Sequence, residues 1–397
     1  MVVGMKPVSR TMAVVFLAVI GPALAWGGAV TPRQGDVAVR IAVLKDAEEA
    51  AIGIRGEYIL MDPLSSRELD RGFHLRKTAL FPEKNGIRLG ARSFPLKRIR
   101  FVPQEYFSLF RDRQERKYRG VVDVFLTPER RLLFVNTVDL EEYIKGVLYH
   151  EVSHRWPLEA IKAQAVAVRS YAIYQVQQNK NKDYDMTNDI YSQVYGGKTS
   201  ERYRTNLAVQ RTRGEILIFK EKVLPAYYHA TCGGATENVK EVWKHDLYPL
   251  KGVRCPFCSH SPHYSWKKNF QLKAIQEKLN KSGYKIGLIK NIEVRDRTLS
   301  GRVKTLDITS RDGEKISISG KAFRDVIGPN ELRSNDYRVV MKGYYCDFIG
   351  KGWGHGVGLC QWGAMGMAKQ QHTYDEILMY YYPGTQMVSV RSLEALK

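Results

Sequence analysis

The run DLEEYIKGVLYHEVSHRWPLEAIKAQAVAVRSYAIYQV, from Asp139 to Val176, separates two kinds of periodicity in the chain. Within it Leu140, Ile144, Val147, Leu148 and Glu151 recur at the i, i+3, i+4 spacing of an amphipathic helix. Pro157 fits the first turn of a second helix, with Leu158, Ile161, Ala165, Val168, Ala172 and Val176 as its apolar stripe. Upstream the signals are those of strands. Val37-Ala38-Val39-Arg40-Ile41 is β-rich, Asn85-Gly86 marks a hairpin turn, and Val121–Leu126 and Leu132–Val135 flank a turn at residues 127–131. Downstream a loop rich in Asn, Asp and Lys ends near Thr187. Residues 290–320 read as a second antiparallel meander, turning at Ser300-Gly301 and Asp312-Gly313. After a Gly-rich loop, Thr373 and Glu376 form a capping box before a helix starting at Tyr374. The expected fold is α+β: an antiparallel β-rich N-terminal part, a helical segment and a β-meander in one mixed core.

The chain has 397 residues and a formal charge of +21, with 44% hydrophobic and 26% charged residues. Such a composition excludes a mainly disordered or fibrous protein, and the length suggests two or three domains. The charge calls for a polyanionic partner. Lys6 and Arg10 precede an apolar run from Met12 to Leu24, and Ala23-Leu24-Ala25 has the form of a cleavage site. Residues 1–25 are therefore expected to be a secretory signal peptide, with an uncleaved N-terminal anchor as the alternative. Without them the charge is +19, since they carry no acid. Export to the periplasm or the outer side of the membrane argues against nucleic acid. It favours wall polymers, with anionic membrane as a peripheral contact.

Glu151 is a carboxylate where the helical stripe calls for an apolar residue. Burial there would raise its pKa, as a general acid working near neutrality requires. The alternative is a helix end that turns to solvent. No second carboxylate stands nearby, so an ordinary two-carboxylate glycosidase is not indicated locally. Lys162 and Arg169 lie two turns apart on one face of the second helix. They suit either a grip on anionic substrate groups or a solvated basic face.

The Gly350–Gly366 loop lacks the spacing and βαβ setting of a nucleotide fingerprint. Glycines alternating with Trp353, His355, Gln361 and Trp362 suit either a wall for a sugar or a tight turn packing two tryptophans. The five cysteines are Cys232, Cys255, Cys258, Cys346 and Cys360, an odd count for an exported chain. Cys232, Cys255 and Cys258 with one of His229, His260 or His263, His260 being our choice, suit a structural zinc. A Cys255–Cys258 disulfide and free thiols remain open, and spacing permits a Cys346–Cys360 pair.

The run Val138–Val147 with Glu151, then Ala160–Ala172, resembles the stage II sporulation protein D family, which includes the amidase-enhancer proteins. Gln193-Val194-Tyr195-Gly196-Gly197, Tyr228–Thr236, Ser300-Gly301-Arg302, Gly352–Ala364 and Tyr382-Pro383-Gly384-Thr385 follow in the same order. The resemblance spans about residues 118–388. It implies a catalytic domain there, after a β-rich module at 26–117 and before a tail at 389–397. It further implies a lytic transglycosylase acting on peptidoglycan strands already stripped of stem peptides, with Glu151 as the catalytic acid. A peptidoglycan amidase is an implied partner, and a non-catalytic wall-binding enhancer is the competing expectation. Lys162, Arg169, Gln193 and Tyr195 carry over as functional positions, and Trp353, His355 and Gln361 as a wall of the glycan cleft. Some members hold zinc beside the Gln-Val-Tyr motif; here Tyr191 and Ser192 precede Gln193, so that site does not carry over. The reaction implied needs no cofactor, which leaves any zinc a structural role.

Overall fold

Asp139 is where the backbone changes period. It ends the strand Leu132–Asp139, and its carboxylate accepts the Glu141 and Glu142 backbone N–H groups, capping the helix that follows. The computed structural model describes residues 37–111, 114–188, 193–243 and 245–392; the expected signal peptide lies outside them. Eight helices are present among these: α1 (Leu140–Glu151), α2 (Leu158–Gln178), α3 (Tyr203–Arg211), α4 (Val239–Val242), α5 (Leu272–Lys281), α6 (Gly320–Ile327), α7 (Gln361–Lys369) and α8 (Tyr374–Tyr381). No helix among the described residues is long and apolar enough to cross a membrane. With two dozen strands around these helices, the architecture is α+β.

The expected hairpins form, one of them turning a residue earlier than expected. Val121–Leu126 pairs with Leu132–Asp139, and Leu75–Glu83 pairs with Gly86–Leu89 through Lys84-Asn85, with Gly86 already in the strand and paired with Glu83. Ile289–Arg297, Val303–Ser310 and Lys315–Ser319 make the later meander, with Gly301 and Gly313 at positive φ in its turns. The Thr373–Glu376 capping box is also formed.

One boundary needs correction. The strand Ala38–Ala47 pairs with Leu132–Asp139, and Arg98–Pro103 pairs with Val121–Leu126. Residues on both sides of the expected 117/118 division thus share a seven-stranded sheet. That sheet, a six-stranded partner sheet and one face of α1 and α2 close over a single core containing Ile41, Ile52, Phe101, Val122, Phe134, Ile144 and Val168.

The second helix is buried on more than one face. Ile161, Ala165, Val168 and Ala172 meet the sheets, while Ala160, Ala163, Val166 and Ala167 meet a second core built on α7 and α8. Its many alanines let backbones approach on both sides. A third core, around Leu279, Leu306, Phe323 and Phe348, belongs to a separate β-rich module spanning the strands from Ser265–Gln271 to Tyr345–Lys351. The chain leaves the second core for this module and returns through the Gly-rich loop to α7.

Candidate active site

Glu151 is the last residue of α1 and is half-buried. The Gln361 side-chain amide donates to its Oε2 at 3.2 Å. The Tyr228 hydroxyl and the Val194 backbone N–H also donate to the carboxylate. Desolvation dominates these three donors and pushes the Glu151 carboxyl up to about 7. Among the described residues no salt bridge reaches it.

The donors are positioned by the fold. Tyr228–His229 runs parallel to Leu359–Cys360, so one short bridge holds Tyr228 beside the start of α7 and hence beside Gln361. Gln193 is buried, donating to the Tyr228 hydroxyl at 2.9 Å and accepting from the Tyr143 hydroxyl at 2.8 Å. Burial keeps both phenols protonated, raising each well above the ordinary tyrosine value. The chain Tyr143→Gln193→Tyr228→Glu151 therefore has a fixed direction. Trp156 and Trp362, directly flanking this site in sequence, pack edge to face with centroids 5.2 Å apart.

Several expected site residues lie elsewhere. Arg169 is fully buried and forms a bidentate pair with Glu141, Nε–Oε1 2.9 Å and Nη2–Oε2 2.8 Å, while Nη1 donates to the Glu215 carbonyl. It joins α2 to the opposite end of α1, roughly 15 Å along that helix from Glu151. No substrate can reach it. Lys162 pairs with Glu159 at 2.7 Å and sits over the Tyr374 ring, tying α2 to α8. Tyr195 is a core residue: its ring packs between Tyr118 and Tyr143 and its hydroxyl donates to Asn136. Gln193 touches the site through Tyr228 rather than substrate. In the Gly-rich loop, Trp353 is half-buried against His263 and Arg333. His355 packs on Trp243 and His229, and desolvation lowers it to about 3, so it is neutral.

The thiol cluster differs from expectation in one member. Cys232, Cys255, Cys258 and Cys360 place their Sγ atoms within 4.8 Å of one another, all buried. His260 is exposed and outside the cluster; the fourth partner is Cys360, the residue that caps α7. His229 instead faces the Val357 carbonyl through Nδ1 at 3.1 Å. Cys346 belongs to the third core and Cys360 to the second, so these two do not pair.

Sequence reasoning missed Tyr143, Tyr228, Trp156 and the role of Cys360. Tyr228 lies within a quoted motif, but nothing local signals that a tyrosine 77 positions away from Glu151 faces it.

Comparison with known proteins places these features in a family. A model described as stage II sporulation protein matches residues 128–219, which contain α1, α2 and Glu151. A second, described only as a domain of unknown function, matches residues 257–358 and coincides with the module holding the third core. An uncharacterized protein of Brachyspira hyodysenteriae is 31% identical over 351 residues, covering 88% of this chain and 92% of its own. Stage II sporulation protein D of Bacillus subtilis is 31% identical over 269 residues, 64% of this chain and 75% of that protein. The amidase enhancer of the same organism is 29% identical over 293 residues, 62% of this chain and 40% of that protein. With matches of this extent, the chain belongs to the stage II sporulation protein D family.

Proposed function

We propose that this chain is an exported lytic transglycosylase cleaving the bond between N-acetylmuramic acid and N-acetylglucosamine in peptidoglycan strands stripped of stem peptides. The family and its amidase-enhancer relative support a cell-wall role. The observation that carries the finer reading is Glu151: a carboxyl raised to about 7, clear of ion pairs among the described residues and held by neutral donors. An acid with that pKa is still substantially protonated near neutrality and can give its proton up.

In this reading Glu151 protonates the bridging oxygen, and the muramyl C1–O bond breaks. The C6 hydroxyl of the same sugar then attacks C1 and passes its proton to the Glu151 carboxylate. The acid is restored and the product carries a 1,6-anhydro end. Because the nucleophile belongs to the substrate and is already close, a single carboxylate suffices. Gln361 and Tyr228 hold the carboxylate in one orientation through both steps. With Arg169 internal, the cations assigned to the lactyl carboxylates are those around the C-terminal end of α1: Arg155, which is exposed, and Arg202, over the Tyr149 ring.

A second reading has a specific observation behind it, the amidase-enhancer relative: a wall-binding protein that stimulates a peptidoglycan amidase without cleaving glycan itself. Incubating the protein with amidase-stripped sacculi and identifying products by mass spectrometry separates the two. Anhydro-ended disaccharides that vanish in Glu151→Gln support the transglycosylase. Sacculus binding without products, with faster release of peptide by an added amidase, supports the enhancer. Reducing ends would mean hydrolysis and overturn the intramolecular attack.

A further inference from the structure

We propose that Cys232, Cys255, Cys258 and Cys360 form a tetrathiolate zinc site that locks the base of α7 and, through it, Gln361. The four sulphurs come from three separate stretches of chain. Cys232 follows the Tyr228–His229 strand, Cys255 and Cys258 bracket a single 3-10 turn at Pro256–Cys258, and Cys360 precedes α7. In a tetrahedral site with Zn–S bonds of about 2.3 Å, neighbouring sulphurs lie about 3.8 Å apart. The Cys232 and Cys258 sulphurs are 3.5 Å apart and all four fall within 4.8 Å. A disulfide, at about 2.05 Å, would draw two of them together and leave the other pair stranded.

The surroundings suit thiolates. The Cys232 backbone N–H donates to the Cys360 Sγ at 3.2 Å and the Gly363 N–H at 3.3 Å, while the Tyr381 hydroxyl lies 3.1 Å from the Cys255 Sγ. Donors of this kind orient and stabilise metal-bound sulphur. Gly363 has no room for a side chain: a Cβ would stand 2.0 Å from the Tyr381 hydroxyl and 2.8 Å from the Cys255 Sγ. Four thiolates on Zn²⁺ carry a net charge of −2. The buried guanidinium of Arg302 donates to the Cys232 carbonyl at 2.7 Å, and no carboxylate lies within ion-pair distance of it among the described residues. It reaches Glu237 through the Ser300 hydroxyl. A buried cation beside the cluster offsets the excess negative charge of the site.

The role is structural, because four protein ligands leave no open position. Cys360 and Gln361 are consecutive, so fixing one sulphur fixes the approach of the amide to Glu151. The effect on Glu151 rests on its reading as the acid; the metal site does not.

The test is elemental analysis of the purified full-length protein, paired with thiol titration after denaturation with a chelator and without reductant. We expect one zinc per chain and all five thiols titrating, with cobalt exchange giving the charge-transfer and ligand-field bands of a tetrahedral thiolate site. Cys258→Ser should lower zinc content at least tenfold. Cys346→Ser, outside the cluster, should leave it unchanged, which guards against loss of metal through general misfolding. Fewer than five thiols without reductant would reveal a disulfide and overturn the site. Metal-free protein with five free thiols, or iron in place of zinc, would overturn it as well. All of these are read without measuring cleavage, so an inactive protein with stoichiometric zinc would sink the transglycosylase and leave this inference standing.

Discussion

The two ends of α1 carry glutamates in opposite circumstances. Glu141, in the first turn, is nearly buried and answered by a guanidinium: Arg169 holds both its oxygens, and the Gly214 N–H adds a third hydrogen bond. Glu151, in the last turn, meets an amide, a phenol and a backbone N–H, with no cation paired to it among the described residues. The helix dipole sharpens the contrast, since a negative charge is favoured at the N-terminus and opposed at the C-terminus. One acid is paired with a cation, the other meets burial and neutral donors. Two carboxylates of different character thus sit on one helix, and what distinguishes them is the partner each has been given.

The largest effect expected at the Glu151 end is on catalysis. Glu151→Gln should lower the rate of anhydro-product release by about 10²–10⁴-fold, the usual contribution of a general acid. Its melting temperature at pH 7 should not fall, because an amide of the same shape removes a charge the site resists. A variant that loses activity by unfolding would break the contrast.

At the other end the expectation reverses. Arg169→Ala leaves Glu141 buried with its cation gone, and unfolding by denaturant should show a loss of about 3–5 kcal/mol. Removing both charges with apolar residues, Arg169→Met with Glu141→Leu, should recover most of that. If the double variant is no more stable than Arg169→Ala, the pair does more than satisfy charge.

Glu151 makes its own contribution to the pH dependence of stability, beside those of the buried histidines and the paired carboxylates. Below pH 4.5 its carboxyl is protonated folded and unfolded alike. Between 4.5 and about 7 only the folded chain still holds the proton, so each step up in pH weakens folding. The loss levels off above about 7, at roughly 3 kcal/mol. Subtracting the unfolding curves of Glu151→Gln from those of the parent protein across pH 4–8 isolates this slope. A flat difference would mean the carboxyl ionises as easily folded as unfolded. Cleavage should share the alkaline limb, falling as pH passes about 7, since the first step needs the protonated acid.

Much of this was legible in the sequence, and the remainder was hidden for definite reasons. Both helices, the Asn85-Gly86 hairpin, the later meander and the capping box at Thr373 are local features, set by residues within a few positions of each other. Glu151 was legible because a carboxylate interrupted an apolar stripe. Arg169 misled for a related reason: the spacing put it on a helix face but could not say that the face is covered, nor that Glu141, 28 residues earlier, reaches it. Tyr195 carries a hydroxyl, yet its ring fills the core. The fourth thiol was missed because 128 residues separate Cys232 from Cys360, and only the parallel pairing of Tyr228–His229 with Leu359–Cys360 brings them together. The 117/118 boundary failed likewise, since strand pairing across it is non-local.

The smallest predicted effect tests whether the two ends of α1 are independent. Asp139 caps the helix through the Glu141 and Glu142 N–H groups. Replacing it with Ala leaves those donors without their acceptor at a cost of about 1 kcal/mol, or roughly 2 °C in melting temperature for a chain of this size. The Arg169–Glu141 pair is made by side chains further along and should survive. The alkaline limb of the pH–stability profile should stay where it is, because burial at the far end of the helix raises the Glu151 carboxyl, and Gln361, Tyr228 and Val194, the donors that partly offset it, belong to other elements. A limb that moves in Asp139→Ala would mean that the start of α1 controls how Glu151 is presented at its end, and that one helix does not insulate its two acids from each other.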